Sequence, residues 1–286
     1  MNRTSAIIWL AGLALTGCQQ LGFGGAATPA EPAIPAEPLD PVQTAPEPEA
    51  PVEPADLPPI VSLNSETFSG TVNLPEGLAA IAPDLEARLR REAEDDLVWM
   101  QAEADAYKAA DPDYFRPYTY DKTWTLLHAA NGLVSLKSSG SQYTGGAHAN
   151  HFITGLVHDT RAGLDIDVMD LFADREAAGA RLTSLVRAAI LEQKREKYAG
   201  TAISEADLVA DVESGVSDRF GWARQSALIP AGNGEGFGGI DFYFSPYELG
   251  AYAEGSYIAR IPQSALRDLF NPDDLPMFTG DPAIPD

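Results

Sequence analysis

The sequence predicts an α+β fold in which an antiparallel β-meander packs against helices. Two residue pairs that favour tight turns, Asn131-Gly132 and Gly145-Gly146, separate short segments of alternating polarity, which indicates hairpins. Other segments carry apolar residues three or four positions apart, which indicates amphipathic helices. The 286 residues are 45% hydrophobic, so the chain can bury a core in one or two domains.

Residues 1–17 have the features of a bacterial lipoprotein signal peptide. Arg3 supplies a basic start, and the apolar run at 6–15 is too short to span a bilayer. The Leu-Thr-Gly-Cys tetrapeptide that ends at Cys18 resembles a lipobox, in which the chain is cut before Cys and the thiol is lipidated. The alternative is an ordinary signal peptide with a free or buried Cys. Gln19, where Asp would resemble an inner-membrane retention signal, favours the outer membrane, facing the periplasm.

Residues 18–59 are predicted to be a disordered tether rich in Pro, Ala and Glu. Residues 26–59 hold half of the chain's 22 prolines and no Lys or Arg. Such a segment buries too little apolar surface to offset chain entropy. Proline spacing and charge repulsion extend it to about 3 Å per residue. It is either a spacer that holds a domain away from the membrane or a passive linker.

The charge of the chain limits its partners. The sequence has 19 Lys+Arg against 42 Asp+Glu, a formal net charge of -23. Nucleic-acid binding needs clustered basic residues, so a nucleic-acid partner is not expected. The acidity favours cationic partners, including basic proteins. A single Cys excludes a disulfide within the chain and a Cys-rich zinc site.

The first folded segments are two short strands and a long helix. Residues 60–74 contain β-type residues and a Ser69-Gly70 turn signal, which indicates one or two strands. Pro83 is suited to the first position of a helix. The helix is then supported by an apolar stripe: Leu85, Leu89, Ala93, Leu97, Met100, Ala104 and Tyr107.

The meander comprises three predicted strands, at 118–129, 133–143 and 149–158. If both turn pairs form two-residue loops, Val134 lies opposite Val157, and Leu127 lies beside Leu136 or Val134. Both hairpins then place aliphatic side chains on one face. The remaining elements are a short strand and turn at 164–172, a helix at 174–199, a helix to residue 216 opened by a Ser204/Asp207 capping box, a strand at 240–244 after the Gly-rich residues 232–239, and an amphipathic segment at 264–270.

Three motifs carry a resemblance to a known family: YTGGAHAN at 143–150, DLF at 170–172 and FYFSPYELGAYAEGSYIARIP at 242–262. In this order they resemble the ectodomain of RsiV-type anti-sigma factors, which is shared with the N-terminal part of PdaC-type peptidoglycan deacetylases. The resemblance implies two abutting α+β subdomains, PdaC-like at 60–158 and RsiV-like at 159–271, followed by a tail at 272–286.

The resemblance also implies a function. Some family members bind lysozyme directly, so we expect a binding module for a cationic lysozyme-type muramidase or a peptidoglycan-related ligand. No cytoplasmic sigma-binding segment, spanning helix or deacetylase domain accompanies the motifs, so anti-sigma and deacetylase activities are not expected to carry over. The alternatives are a structural or assembly lipoprotein and a peptidoglycan-directed hydrolase.

The Gly145-Gly146 turn is a candidate binding feature. Tyr143 and His148 are predicted to face each other across it, and Gly supplies the left-handed backbone geometry of the turn. The pair could contact a ligand, or each ring could satisfy the other while shaping the hairpin. Asn150 could join such a site or cap backbone groups.

Two tyrosines, Tyr247 and Tyr252, are the second set of binding candidates. They lie in a turn region that contains Pro and Gly, and Tyr combines apolar area with a polar tip. The other aromatic residues of this region are expected mainly in the core: Phe242, Tyr243, Phe244 and Tyr257.

No catalytic residue, metal or cofactor is predicted. His148 and His151 are three apart on a predicted strand, so they should point to opposite faces, which is poor geometry for zinc. The acidic residues Asp165, Asp167 and Asp170 lack the Gly and Glu of a calcium loop and are read as a solvated acidic turn. The Gly-rich pattern at 234–239 leads into a strand and not a helix, which excludes a dinucleotide site.

Overall fold

The computed structural model describes residues 60–217 and 219–283, which form nine strands and four α-helices. The predicted signal peptide at 1–17, the lipid attachment site Cys18 and the tether at 18–59 lie outside the described residues, as do the last three residues of the tail. Within the described ranges, no helix is long and apolar enough to cross a membrane.

The first sheet has six strands in sequence order: β1 (Ile60–Asn64), β2 (Phe68–Asn73), β3 (Tyr118–Ala130), β4 (Leu133–Tyr143), β5 (Asn150–Asp159) and β6 (Leu164–Asp165). All neighbours are antiparallel except β2 and β3, which are parallel. Parallel neighbours need a crossover, and here α1 (Leu78–Ile81) and α2 (Pro83–Ala110) supply it. The predicted stripe of α2 is buried from Leu85 to Ala104, whereas Tyr107 is 40% exposed.

The second sheet has three antiparallel strands, β7 (Ser226–Pro230), β8 (Phe237–Phe244) and β9 (Tyr257–Pro262). Two helices precede it, α3 (Arg175–Lys197) and α4 (Glu205–Gly215). The Asp174 carboxylate caps α3, and the predicted Ser204/Asp207 capping box opens α4. Every residue of β8 is buried because helices cover one of its faces and the first sheet covers the other.

This architecture confirms the predicted α+β class, with the β3–β4–β5 meander at its centre. Both sheets lie in the same compact unit of the chain. They approach closely at Gly155 of β5, where an added Cβ would lie 2.2 Å from the carbonyl oxygen of Ser226 in β7. Residues after 271 also pack inward, since Met277 and Phe278 are buried in the core that α3 covers.

The Ser69-Gly70 turn prediction is wrong. Both residues lie inside β2, and the turn is formed by residues 65–67, where the Ser65 hydroxyl accepts hydrogen bonds from the backbone N–H groups of Thr67 and Phe68. Gly70 serves close packing instead, because a Cβ there would lie 2.4 Å from Cδ2 of Leu97 in α2.

The Asn131-Gly132 turn is confirmed, with φ values of 56° and 80° and direct pairing of the strands on either side. The prediction that Leu127 lies beside Leu136 or Val134 is wrong. Leu126 pairs with Leu136, and the register then shifts at a bulge that leaves Leu127 as the extra residue. Leu127 therefore packs toward the second sheet.

The prediction of a two-residue turn at Gly145-Gly146 is also wrong. The last β4–β5 pair is Gln142 with Asn150, so a loop connects the two strands. This lengthening shifts the register by one residue, and Val134 pairs with His158 instead of Val157. His158 is consequently buried, with its Nδ1 2.8 Å from Oδ1 of Asp165.

Candidate functional site

Two loops that are distant in sequence meet at one end of the β4–β5 hairpin. The His148 ring stacks on the Tyr252 ring with centroids 4.0 Å apart, and the Tyr252 hydroxyl donates to the backbone oxygen of Ala149 at 2.5 Å. The rings of His151 and Tyr247 flank Tyr252 with centroids 6.2 Å and 5.3 Å from it. We call His148, His151, Tyr247 and Tyr252 the His–Tyr cluster.

The β8–β9 loop, residues 245–256, is fixed to β5 by hydrogen bonds. The Ser245 hydroxyl bonds to both the backbone N–H and the backbone oxygen of Ile153. Glu248 accepts from the Ser245 backbone N–H and from the Gln225 side chain. Tyr247 between them has a φ of 75°, a strained conformation for a non-glycine residue, and its side chain is 61% exposed. The strained backbone thus presents an aromatic ring to solvent.

A buried ion pair holds the short turn that carries Tyr252. Lys194 of α3 is fully buried and donates to Glu254 at 2.7 Å and to Asp211 at 3.0 Å. The Tyr257 hydroxyl donates to Glu254 at 2.6 Å. Burial alone would raise the pKa of Glu254, but hydrogen bonds from Lys194, Tyr257 and the Ala251 backbone lower that pKa to about 2. Glu254 is therefore ionised at neutral pH and anchors the turn to α3.

Gly250 makes this arrangement possible. Its φ is 151°, and a Cβ at this position would lie 2.1 Å from Oε1 of Glu254 and 2.8 Å from Nζ of Lys194. Any larger residue would displace the ion pair.

A groove of about 740 Å³ runs beside the His–Tyr cluster. Its floor is the β4 face with Ser139 and Ser141 and the neighbouring Asp121 of β3. Tyr252 and Ser256 of the β8–β9 loop form the opposite wall. A half-buried aromatic ring beside hydroxyl and carboxylate groups is suited to a polar ligand that also has an apolar face.

The structure separates the residues predicted around the Gly-Gly turn. Tyr143 pairs with Thr119 of β3, and His148 lies in the loop and not opposite it. Gly145 has the expected positive φ of 88°, but Gly146 does not. Asn150 begins β5 with an exposed side chain.

The predicted opposite orientation of the two histidines is wrong. His148 precedes β5 and is not part of the strand, so strand alternation does not apply to it, and both rings stack near Tyr252. Tyr252 and Tyr247, predicted as surface contacts, lie together with His148. His151, Ser139 and Ser141 were not predicted as site residues. The alternating Ser139 and Ser141 could have indicated a polar strand face.

The acidic turn at 165–170 is neutralised by protein groups. Arg175 donates to Asp167 at 2.5 Å and to Asp170 at 2.7 Å, and Asp165 contacts Arg88 at 2.6 Å. Among the described residues, no group of three or more His, Cys, Asp or Glu side chains is arranged to hold a metal ion.

Comparison with known proteins gives one family match and several structural matches. Residues 61–151 match the family model described as "Deacetylase PdaC". No curated protein matches the chain significantly. A DUF3298 family crystal structure from Bacteroides fragilis has 16% identity and a TM-score of 0.48, over 74% of this chain and 92% of its own. One from Pseudomonas aeruginosa has 18% identity and a TM-score of 0.47, over 79% of this chain and 99% of its own. Residues 61–151 are therefore PdaC-like, and DUF3298 proteins are similar to the chain over a longer stretch.

Proposed function

We propose that the protein is a bacterial cell-envelope lipoprotein whose folded part is a binding module, and that the groove beside the His–Tyr cluster holds a peptidoglycan-related sugar chain. The observation that carries this proposal is the Tyr252 ring at the groove wall, on which the His148 ring stacks with centroids 4.0 Å apart. The lipobox sequence supports the proposed location in the cell envelope, and the PdaC-like region supports a ligand related to the cell wall.

A sugar fits the chemistry of the groove. One face of a pyranose ring presents C–H groups that pack well on the electron-rich face of an aromatic ring. Its hydroxyl groups need hydrogen-bond partners, and Ser139, Ser141 and Asp121 supply them on the floor. The groove volume of about 740 Å³ is in the range of small-ligand sites.

The arrangement favours binding over hydrolysis. A hydrolase of this kind needs a carboxylic acid that can donate a proton, so its pKa must be raised. Of the two carboxylates that line the groove, Glu254 has its pKa lowered to about 2 and donates no proton at neutral pH. The Tyr247 hydroxyl is 3.5 Å from Nε2 of His148, too long for an effective proton relay.

Titration of the protein with peptide-free peptidoglycan oligosaccharides, followed by calorimetry or NMR, tests the proposal. We expect Tyr252→Ala and His151→Ala each to weaken binding about fivefold, since both rings line the groove and one aromatic contact contributes roughly 1 kcal/mol. Tyr114→Ala is the matched control, because Tyr114 is 74% exposed and distant in sequence from both loops. No saturable sugar binding, or equal losses in all three variants, would refute the proposal.

A cationic muramidase is the second candidate ligand. The net charge of -23 attracts basic proteins, and α2 exposes Val98 and Trp99 beside the acidic Asp95 and Asp96. Titration with lysozyme at low and moderate salt should show an affinity that falls with salt, and Trp99→Ala should lower it. Salt-independent binding, or none, would exclude this candidate.

The lipid anchor is tested separately. Cells that express the wild-type chain should incorporate labelled fatty acid into it, whereas the Cys18→Ser variant should not. Equal labelling of the wild-type and Cys18→Ser proteins would contradict the proposed lipid anchor. Recovery of wild-type protein in the cytoplasm with residues 1–17 attached would contradict the proposed location.

A further inference from the structure

We propose a second ligand site, a cavity between the two sheets in which Lys137, Tyr243 and Arg260 bind an organic carboxylate. The cavity has a volume of about 580 Å³. Lys137 of β4 faces it from the first sheet, and Tyr243 of β8 and Arg260 of β9 face it from the second. This inference stands apart from the sugar-binding proposal, since none of the three residues lines the groove beside the His–Tyr cluster.

Lys137 supplies a cation without a partner. Its side chain is half-buried, and no described acidic group lies within ion-pairing distance of its ammonium group. Strand alternation places it on the β4 face that carries Ser135 and Ser139, opposite the face covered by α2. An ammonium group in such a position attracts an anion from solvent.

Tyr243 supplies a donor without an acceptor. The residue is 1% exposed, yet its hydroxyl makes no hydrogen bond with any residue that the structure describes. Tyr243 lines the cavity, so a ligand or solvent molecule there can serve as the partner that a tyrosine hydroxyl normally has. Burial raises the pKa of Tyr243, as does the nearby Asp241, while Arg260 lowers it. The hydroxyl therefore keeps its proton and can donate it to an acceptor.

Arg260 is held rigidly and still has donors to spare. Its Nε and Nη2 atoms donate to the two carboxylate oxygens of Asp241 at 2.9 Å and 2.8 Å. The Asp241 side chain is almost completely buried and fixes the plane of the guanidinium group. Nη1 makes no hydrogen bond with a described residue and can contact a ligand in the cavity.

The charge and the walls define the ligand. Asp241 neutralises one of the two cations, so the cavity carries one excess positive charge and matches a monoanion better than a phosphate dianion. The remaining walls are largely aliphatic, with Leu127, Ile229 and Ile258 among them. A carboxylate on an aliphatic body satisfies both features.

Hexanoate and its neutral isostere hexanamide are the probes. Because a small ligand gains limited binding free energy per non-hydrogen atom, we expect the full-length protein to bind hexanoate with a Kd of about 1 mM. Hexanamide, which lacks the negative charge, should bind at least about tenfold more weakly. Lys137→Met and Tyr243→Phe should each weaken hexanoate binding roughly fivefold to tenfold. Lys108→Met is the matched control, because the Lys108–Glu66 ion pair is exposed, and it should leave binding unchanged.

Three results would overturn the proposal: no hexanoate binding at about 20 times the expected Kd, equal binding of hexanamide, or equal binding by Lys137→Met. Tyr243→Phe adds a check on folding, because loss of an unpartnered hydroxyl should not lower the stability of the ligand-free protein. Tyr252→Ala should leave hexanoate binding intact, and Lys137→Met should leave sugar binding intact. Failure of this site is thereby distinguishable from failure of the groove.

Discussion

Replacement of Lys194 by Met should remove the cation that holds Glu254 beneath the Tyr252–Glu254 turn. Met keeps much of the aliphatic volume of Lys but leaves the Glu254 carboxylate, which is 5% exposed, without its ion-pair partner. The shift of the Glu254 pKa from 4.5 to about 2 corresponds to about 3 kcal/mol of stability at pH 7. Because Tyr257 and the Ala251 N–H still donate, we expect a loss of about 2–3 kcal/mol.

The pH dependence distinguishes this effect from a packing defect. A carboxyl whose folded-state pKa is depressed contributes stability fully above its unfolded value, and loses it as the pH falls through the folded value. For Glu254 the window runs from about 4.5 down to about 2. The stability difference between wild type and Lys194→Met should therefore be largest at neutral pH and shrink as the pH falls through 4.5 toward 2.

Urea denaturation at several pH values measures the difference in unfolding free energy between wild type and Lys194→Met. The midpoints can be compared if both proteins show the same dependence of unfolding free energy on urea concentration. In a thermal melt at pH 7, we expect the Tm of Lys194→Met to be roughly 5–10 °C below that of wild type. Lys108→Met, which breaks the exposed pair with Glu66, should cost no more than about 0.5 kcal/mol. The reasoning fails if Lys194→Met is no more harmful than Lys108→Met, or if its cost is the same at pH 7 and pH 3.

Two further substitutions test the backbone, one at Tyr247 in the β8–β9 loop and one at Gly155, where the two sheets approach closely. Tyr247→Gly should relieve the positive φ of 75° and raise stability by up to about 1 kcal/mol. Tyr114→Gly, which has no positive φ to relieve, should not stabilise the protein. A thermal melt whose midpoint shifts the same way in both variants would refute the proposed strain. Gly155→Ala should lower the free energy of unfolding by about 1–3 kcal/mol, because its Cβ would lie 2.2 Å from the Ser226 carbonyl oxygen. Gly146→Ala is the control, since its Cβ would have its nearest neighbour at 4.0 Å, and its thermal melt should match that of wild type.

The fold was largely predictable because its elements carry local signals. The periodic stripe of α2 and the Ser204/Asp207 capping box each depend on residues within a few positions of one another. The failures arose where the deciding contact was distant. Gly70 appeared to be a turn residue, but it is required in β2 because Leu97 of α2 packs against it. The bulge at Leu127 has no local marker and follows from packing toward the second sheet.

The candidate site was predictable only in part, for a related reason. Residue type identified His148, Tyr247 and Tyr252 as surface candidates, but their meeting depends on two loops about a hundred residues apart. The Gly-Gly pair suggested a tight hairpin that would have placed Tyr143 against His148. The longer loop frees His148 to stack on Tyr252 instead. Lys194 gave no sequence signal, because a lysine on a charged helix is normally exposed.

Strand β1 sets how the folded part responds to mechanical tension from the residues before it. It begins at Ile60, lies at the edge of the six-stranded sheet and has β2 as its single strand neighbour. A pull applied at Ile60 reaches the Ile60–Asn73 pair first and then opens the antiparallel pairs in succession. Such peeling needs less force than simultaneous rupture of the whole ladder. Under load, β1 should detach first, while the β3–β5 meander and the two loops it supports remain folded.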